Sequence, residues 1–135
     1  MSPSAAALAG LALWSIVLTF IFVVARAAVL GSGDKALNTF QPDGRDLPAY
    51  GQRVTRAHAN SLEYLAIPVG LLALAILTER THITDGMAMI VLAARIAQSV
   101  VHMISTSRPM VLVRATFFVI QLLTWTVWSV RLLMA

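Results

Sequence analysis

The sequence predicts an all-α integral membrane protein built as a bundle of four transmembrane helices. Of the 135 residues, 59% are hydrophobic and only 12% are charged, and the mean hydropathy is +0.80. Soluble domains carry about 25% charged residues. Apolar runs of about 20 residues, the length that crosses a bilayer, recur four times. We therefore expect residues 1–135 to form a single four-span domain.

The first element is an apolar span over residues 5–27. Gly31-Ser32-Gly33-Asp34 is expected to end this helix, because glycine-rich segments break helical structure. The chain then passes through its longest loop, in which Pro42-Asp43-Gly44 and Pro48 are turn signals. No basic residue precedes the apolar run, so a retained span is favoured over a cleaved signal peptide.

Three further spans follow after this loop, over residues 52–77, 84–105 and 110–134. Pro68 is expected to kink the second span, since proline removes a helical hydrogen bond that neighbouring helices can replace in a membrane. Thr84 offers an N-cap for the third span, and Pro109 separates the third span from the fourth. The predicted loops between these spans are short.

The basic residues that flank the spans are unevenly divided between the two sides. One side has Lys35, Arg45, Arg53 and Arg108, and the other has Arg80 and Arg131. The positive-inside rule places the first and third loops in the cytoplasm and both termini outside. We expect a cell membrane or a bacterial inner membrane as the location.

Composition also limits the chemistry. The chain has no cysteine, which excludes disulfides and thiolate metal ligands within it. His58, His82 and His102 lack metal-ligand spacing, so no metal site is expected. Nine of the ten basic residues are arginines scattered among apolar runs, which argues against nucleic-acid binding. The planar guanidinium suits carboxylate or phosphate recognition, so the sequence favours an anionic ligand.

Polar side chains recur at helical spacing within the spans. Arg53, Arg56, Asn60 and Glu63 share one face of the second span, because residues three or four apart are neighbours on a helix. Similar spacing joins Arg95, Gln98, Ser99 and His102 in the third span, and Arg114 and Gln121 in the fourth. Ionisable residues inside a membrane domain indicate a functional site.

The charges of these side chains do not balance. Glu63 can neutralise one arginine, and we expect Arg95 as its partner, because both lie well inside spans where an unpaired charge is costly. Arg56 and Arg114 remain without counter-ions. An acidic ligand would complete the site.

Structural roles explain several of the same residues equally well. Arginines near helix ends commonly reach for lipid headgroups, which we expect of Arg26, Arg53, Arg108 and Arg131. A Glu63–Arg95 pair could serve only to fix helix register, and His58 is expected to pack through a hydrogen bond. Tryptophans are enriched at membrane interfaces, so Trp14, Trp125 and Trp128 are predicted to face lipid or its interface.

The segment Arg56-Ala57-His58-x-Asn60-x-x-Glu63 at the start of the second span, with Pro68 after it, resembles the MAPEG family, the membrane-associated proteins of eicosanoid and glutathione metabolism. The resemblance extends over essentially the whole chain. The later residues that fit the family's pattern are Arg95, Pro109, Arg114 and Gln121.

This resemblance implies a homotrimer that holds glutathione between adjacent subunits near the cytoplasmic side. Asn60 and Glu63 would hold the γ-glutamyl end, and Arg114 would face the thiol as the catalytic residue. Arg95 would pair with Glu63 or with a ligand carboxylate. Further polar contacts with glutathione are expected from Arg56, Gln98, His102 and Gln121. The resulting expectation is a transferase or peroxidase that presents a glutathione thiolate to a lipophilic electrophile or hydroperoxide.

Two other functions are compatible with the sequence. A small four-span transporter could use Glu63 as its coupling carboxylate, although arginine neighbours would keep that carboxylate ionised. A noncatalytic membrane scaffold would tolerate the loss of Arg114.

Overall fold

The computed structural model describes residues 1–33 and 35–135, and this part of the chain is helical without strands. Asp34, the last residue of the predicted helix breaker, lies outside the described residues. The α-helices are α1 (Pro3–Gly31), α2 (Ala49–Glu63), α3 (Ala66–Leu77), α4 (Asp85–Ile104) and α5 (Arg108–Met134), with a 3-10 turn at Thr81–Ile83. α2 and α3 together form one span, so four segments are long and apolar enough to cross a membrane. The predicted fold class is confirmed.

The second span breaks between Glu63 and Ala66, just before Pro68. Proline has no N–H to donate to the carbonyl of Tyr64, four residues earlier. That carbonyl accepts instead from the Ile67 N–H at 3.3 Å, and regular α-helical bonding resumes with Val69 to Leu65 at 3.2 Å. The predicted kink is therefore a full interruption of the helix.

The core of the bundle lies between α1, α3, α4 and α5 around two indole rings. Trp125 and Trp128 are 2% and 1% exposed, so the prediction that they face lipid or its interface is wrong. The surrounding positions include the small residues Ala7, Ala75 and Ala88, which leave room for large rings. Trp14 is half-buried and donates from Nε1 to Ser99 Oγ at 3.3 Å.

The first loop is fastened to α1 by aromatic and charged contacts. The Arg26 guanidinium lies 4.4 Å from the Phe22 ring centroid and 5.4 Å from that of Phe40. It also donates to the Gln41 carbonyl at 3.0 Å. Arg26 therefore binds the loop, and the expectation that it reaches for headgroups is wrong.

The start of α2 is joined to its neighbours by similar contacts. Arg53 donates from Nε to the Met103 carbonyl near the end of α4 at 2.8 Å, which replaces the expected contact with headgroups. His58 forms a hydrogen bond with Thr19 at 3.2 Å and stacks on Phe22 with ring centroids 4.7 Å apart. The prediction that His58 packs through a hydrogen bond is confirmed.

Candidate functional site

A chain of three amide side chains crosses the bundle from α2 through α4 to α5. Gln98 donates to Asn60 Oδ1 at 3.2 Å, and Gln121 donates to Gln98 Oε1 at 2.9 Å. Gln121 is fully buried and also donates to the Phe117 carbonyl at 2.9 Å. Because each amide fixes the orientation of the next, these bonds set the relative positions of three candidate residues from three helices.

A cleft of about 180 Å³ opens beside this amide chain. Arg114 is half-buried at its wall, so the structure brings the predicted catalytic arginine together with two of the predicted ligand residues. The cleft is lined by Asn60, Gln98, Val111, Arg114, Ala115 and Phe118.

Three lining residues of α5 were not among the sequence-predicted site residues. Val111 and Phe118 lie three and four residues from Arg114, which is the ordinary helical repeat, and Ala115 lies four and three residues from Val111 and Phe118. Helical spacing from Arg114 could therefore have identified these lining residues from the sequence. Phe118 also contacts Trp125 edge-on and Tyr64 at a tilt, with centroid distances of 6.3 and 4.9 Å, which fixes the wall of the cleft.

Arg95 lies inside the protomer, one helical turn from Gln98 on α4. It is 1% exposed, and its guanidinium carbon lies 5.5 Å from the centroid of the Trp125 ring. Its three side-chain nitrogens are buried and have no hydrogen-bond partner among the described residues. The ring face of tryptophan attracts a cation but accepts no strong hydrogen bond. Arg95 is therefore an uncompensated buried charge in the protomer.

Glu63 lies apart from Arg95. It is exposed on the outside of the protomer near the middle of the second span, and within the described chain it makes no ion pair. The predicted Glu63–Arg95 pair is therefore wrong. The pairing was inferred from the depth of both residues in their spans, but helix packing leaves Glu63 exposed at the end of α2 and buries Arg95.

Arg56 and His102 flank the amide chain without joining it. Arg56 is exposed and lines a second cleft between α2 and the first loop. His102 is 8% exposed, and its Nδ1 has no hydrogen-bond partner in the described residues. The positive charges of Arg56 and Arg114 both act on the His102 ring. Arg56 and Arg114 therefore supply the positive charge near the amide groups, and His102 is a buried polar side chain beside them.

The arrangement is suited to an anion that carries polar groups. Guanidinium groups recognise carboxylates and phosphates, and amides supply both donors and acceptors. No group of three or more histidine, cysteine or acidic residues in the described ranges could hold a metal ion.

Of the comparisons with known proteins, the one with protein families found a match. The sequence model of the MAPEG family matches residues 4–134, almost the whole chain. Comparison with curated proteins and with solved structures gave no match. On the strength of the family match, the chain belongs to the MAPEG family.

Proposed function

We propose that this protein is a glutathione-dependent membrane transferase or peroxidase. It would stabilise the glutathione thiolate and present it to a lipophilic electrophile or hydroperoxide that arrives from the bilayer. The observation that carries this proposal is the placement of Arg114 in one cleft with the Asn60 and Gln98 amides. MAPEG membership supports it, because the family includes such enzymes as well as noncatalytic members.

Arg114 has the role of the catalytic residue in this proposal. A free thiol has a pKa near 8.5 and is mostly protonated at neutral pH, whereas the thiolate is the reactive nucleophile. A guanidinium beside the sulfur favours the charged form, and its effect grows in a site shielded from water. Each unit by which the thiol pKa falls is a tenfold shift of the proton equilibrium, about 1.4 kcal/mol.

The remaining candidate residues bind and orient glutathione. Asn60 and Glu63 hold the γ-glutamyl end, where a carboxylate can pair with the ammonium group. Arg95 acts from beneath, one turn from Gln98, through its buried positive charge. Further polar contacts are assigned to Arg56, Gln98 and His102, and Gln121 acts on the ligand by orienting Gln98 through their hydrogen bond.

Trimerisation is part of the proposal. Small-molecule sites typically enclose about 300–1,000 Å³, and the cleft beside Arg114 has about 180 Å³. The cleft that one protomer offers beside Arg114 is therefore too small to enclose a tripeptide. Glu63 and Arg56 are also exposed on the outside of the protomer, where a carboxylate facing lipid would be costly. A neighbouring subunit that closes the cleft and covers these groups resolves both problems.

The proposed location is a cell membrane or bacterial inner membrane, with the termini outside and the site toward the cytoplasm. The fastened first loop, which carries Lys35 and Arg45, lies on the cytoplasmic side in this orientation. Cytoplasmic glutathione would reach the clefts from that side, while the lipophilic substrate would enter from the membrane.

The test is glutathione binding to purified protein by calorimetry, combined with the ultraviolet absorbance of the thiolate. Wild-type protein is expected to bind glutathione saturably and to show the thiolate band at neutral pH. Arg114→Ala should lose the band, and Arg114→Lys should keep part of it because the charge remains. Arg131→Ala is the matched control, since Arg131 is exposed at the far end of α5. A thiolate band of full size in Arg114→Ala would refute the assigned role.

One observation favours a second candidate, a four-span transporter that couples through Glu63. The structure places no arginine in an ion pair with Glu63 within the described chain, so no such partner occupies the carboxylate. Glu63→Gln separates the candidates: a transporter would lose proton-coupled flux in proteoliposomes, whereas an enzyme would lose glutathione affinity. A noncatalytic member would show neither loss.

A further inference from the structure

Four buried nitrogen atoms between α4 and α5 have no hydrogen-bond partner among the described residues. They are the three side-chain nitrogens of Arg95 and Nε1 of Trp125. We propose that these groups bind a small monovalent anion, with the chemistry of chloride, inside the protomer when glutathione is absent. Such a site goes beyond the proposed glutathione chemistry and does not depend on it.

The packing of α4 against α5 brings these groups together. Gln121 donates to Gln98 Oε1 at 2.9 Å, and one turn along the same two helices the guanidinium carbon of Arg95 lies 5.5 Å from the centroid of the Trp125 ring. The two contacts are successive, because Arg95 is three residues before Gln98 and Trp125 is four after Gln121. Arg95, Gln121 and Trp125 are 1%, 0% and 2% exposed. A ligand held there must therefore be small.

Hydrogen-bond donors are in excess at this position. Arginine has five N–H donors and tryptophan has one, whereas an amide oxygen accepts at most two hydrogen bonds. The unpartnered acceptor nearby on α5 is Gln121 Oε1. Even if this oxygen accepted two of the donors, most of them would remain. The ligand must therefore accept hydrogen bonds.

The ligand must also carry a negative charge. Arg95 is buried, and no acidic residue is among the buried side chains of the described chain. Arginine does not lose its proton in proteins, and an isolated charge in a low-dielectric interior is costly. Water would satisfy the N–H groups and leave the charge unbalanced. A monovalent anion supplies the acceptor and the counter-charge together.

The anion site lies next to the Arg114 cleft. Gln98 lines that cleft and is one turn from Arg95 on α4, so its side chain separates the two sites. An anion beside Arg95 would neutralise the charge that is proposed to act on glutathione. The anion therefore belongs to the protein without glutathione, where it lowers the cost of burying Arg95.

The test is thermal unfolding of the full-length protein in detergent without glutathione, with chloride replacing gluconate at constant ionic strength. The wild-type midpoint is expected to rise by about 3–6 °C once chloride reaches about ten times its dissociation constant. Arg95→Met should show no rise, and in gluconate it should be the more stable protein because it buries no charge. Trp125→Phe keeps an aromatic ring without the N–H, so it should need more chloride for the same rise.

Arg131→Met is the matched control, since Arg131 is exposed near the end of α5 and should keep the full response. Bromide supplies a second readout that does not need Arg95→Met to fold: it should quench the tryptophan fluorescence of the wild type saturably, and this component should be weakened in Trp125→Phe. An equal rise in wild type and Arg95→Met would be a general salt effect and would overturn the proposal. Equal wild-type midpoints in chloride and gluconate would also overturn it, because the guanidinium would then be satisfied by water or by a neighbouring subunit.

Discussion

Replacing Arg95 with methionine removes a positive charge that the protomer buries without a partner. Methionine matches the unbranched stem of arginine and can fill the same space beside Trp125. We expect the Arg95→Met variant to be more stable than the wild type in the absence of glutathione, even though a candidate site residue is lost.

The magnitude follows from the surroundings of the guanidinium. A buried polar group without a hydrogen bond costs about 1–3 kcal/mol, and all three side-chain nitrogens of Arg95 are in this state among the described residues. The cation–π contact with Trp125, at 5.5 Å, offsets up to about 2 kcal/mol of this cost. On membrane-insertion scales, an arginine at the centre of a transmembrane helix raises the free energy of insertion by about 2.5–3.5 kcal/mol. The expected gain in the free energy of unfolding is therefore about 2–3 kcal/mol.

The assay is reversible unfolding of purified protein in mixed micelles with increasing dodecyl sulfate. Leu92→Met is the matched control, because Leu92 is 9% exposed on the same helix and this exchange nearly conserves volume. Such swaps usually cost less than about 1.5 kcal/mol. Glutathione affinity, measured on the same samples, should fall in Arg95→Met if the buried charge acts on the ligand.

A loss of about 2 kcal/mol or more in Arg95→Met would refute this reasoning, since breaking a buried charge pair is destabilising by a few kcal/mol. The guanidinium would then have a partner in the assembled protein. Repeating the measurement at protein concentrations that dissociate the oligomer would identify a neighbouring subunit as its source.

Three further perturbations test the loop and the core. Lys35 forms a salt bridge with Asp46 in the first loop and holds the pKa of Asp46 below the ordinary 3.8. The contribution of this salt bridge to loop order is therefore present above about pH 3.8 and is lost as pH falls through the lower folded-state pKa. Asp46→Asn should therefore reproduce at neutral pH the acid loosening of the loop, measured by hydrogen exchange corrected for intrinsic rate. Gly44→Ala should lower the free energy of unfolding by about 1–3 kcal/mol because residue 44 has a positive φ. Gly86→Ala should be neutral or stabilising in thermal unfolding, because an added Cβ there meets no atom within 4 Å. Trp128→Ala should cost about 3–5 kcal/mol, and Leu133→Ala, at a position 86% exposed, should stay within about 0.5 kcal/mol.

The sequence predicted those features that depend on local patterns. Apolar length gave four spans, the proline rule gave the kink before Pro68, and helical spacing gave the faces that carry Asn60, Gln98 and Arg114. Each depends on residues within a few turns of one another. The amide chain then followed from packing α2, α4 and α5 together.

Features that depend on packing between distant elements were not predicted. Trp125 and Trp128 have the composition of interfacial residues, but small residues on the facing helices admit both rings to the core. Arg26 lies near a helix end, where arginines often contact headgroups, but Phe40 and Gln41 of the first loop pack against it. Glu63 and Arg95 have opposite charges at compatible depths, yet helix packing leaves Glu63 exposed and buries Arg95. In each case the deciding partner is remote in sequence.

The separation of Glu63 from Arg95 strengthens the argument that one protomer is electrostatically incomplete. Each group lies in a span and lacks an ion-pair partner among the described residues, so each needs compensation from a ligand or a second subunit. Glutathione as its thiolate carries one ammonium group and three negative groups. In the proposed complex, Glu63 faces the ammonium group and Arg114 faces the sulfur, while Arg56 and the buried Arg95 supply further positive charge. The charges of the protein are balanced only when the ligand is present. Glutathione that is bound between subunits should therefore also strengthen their association.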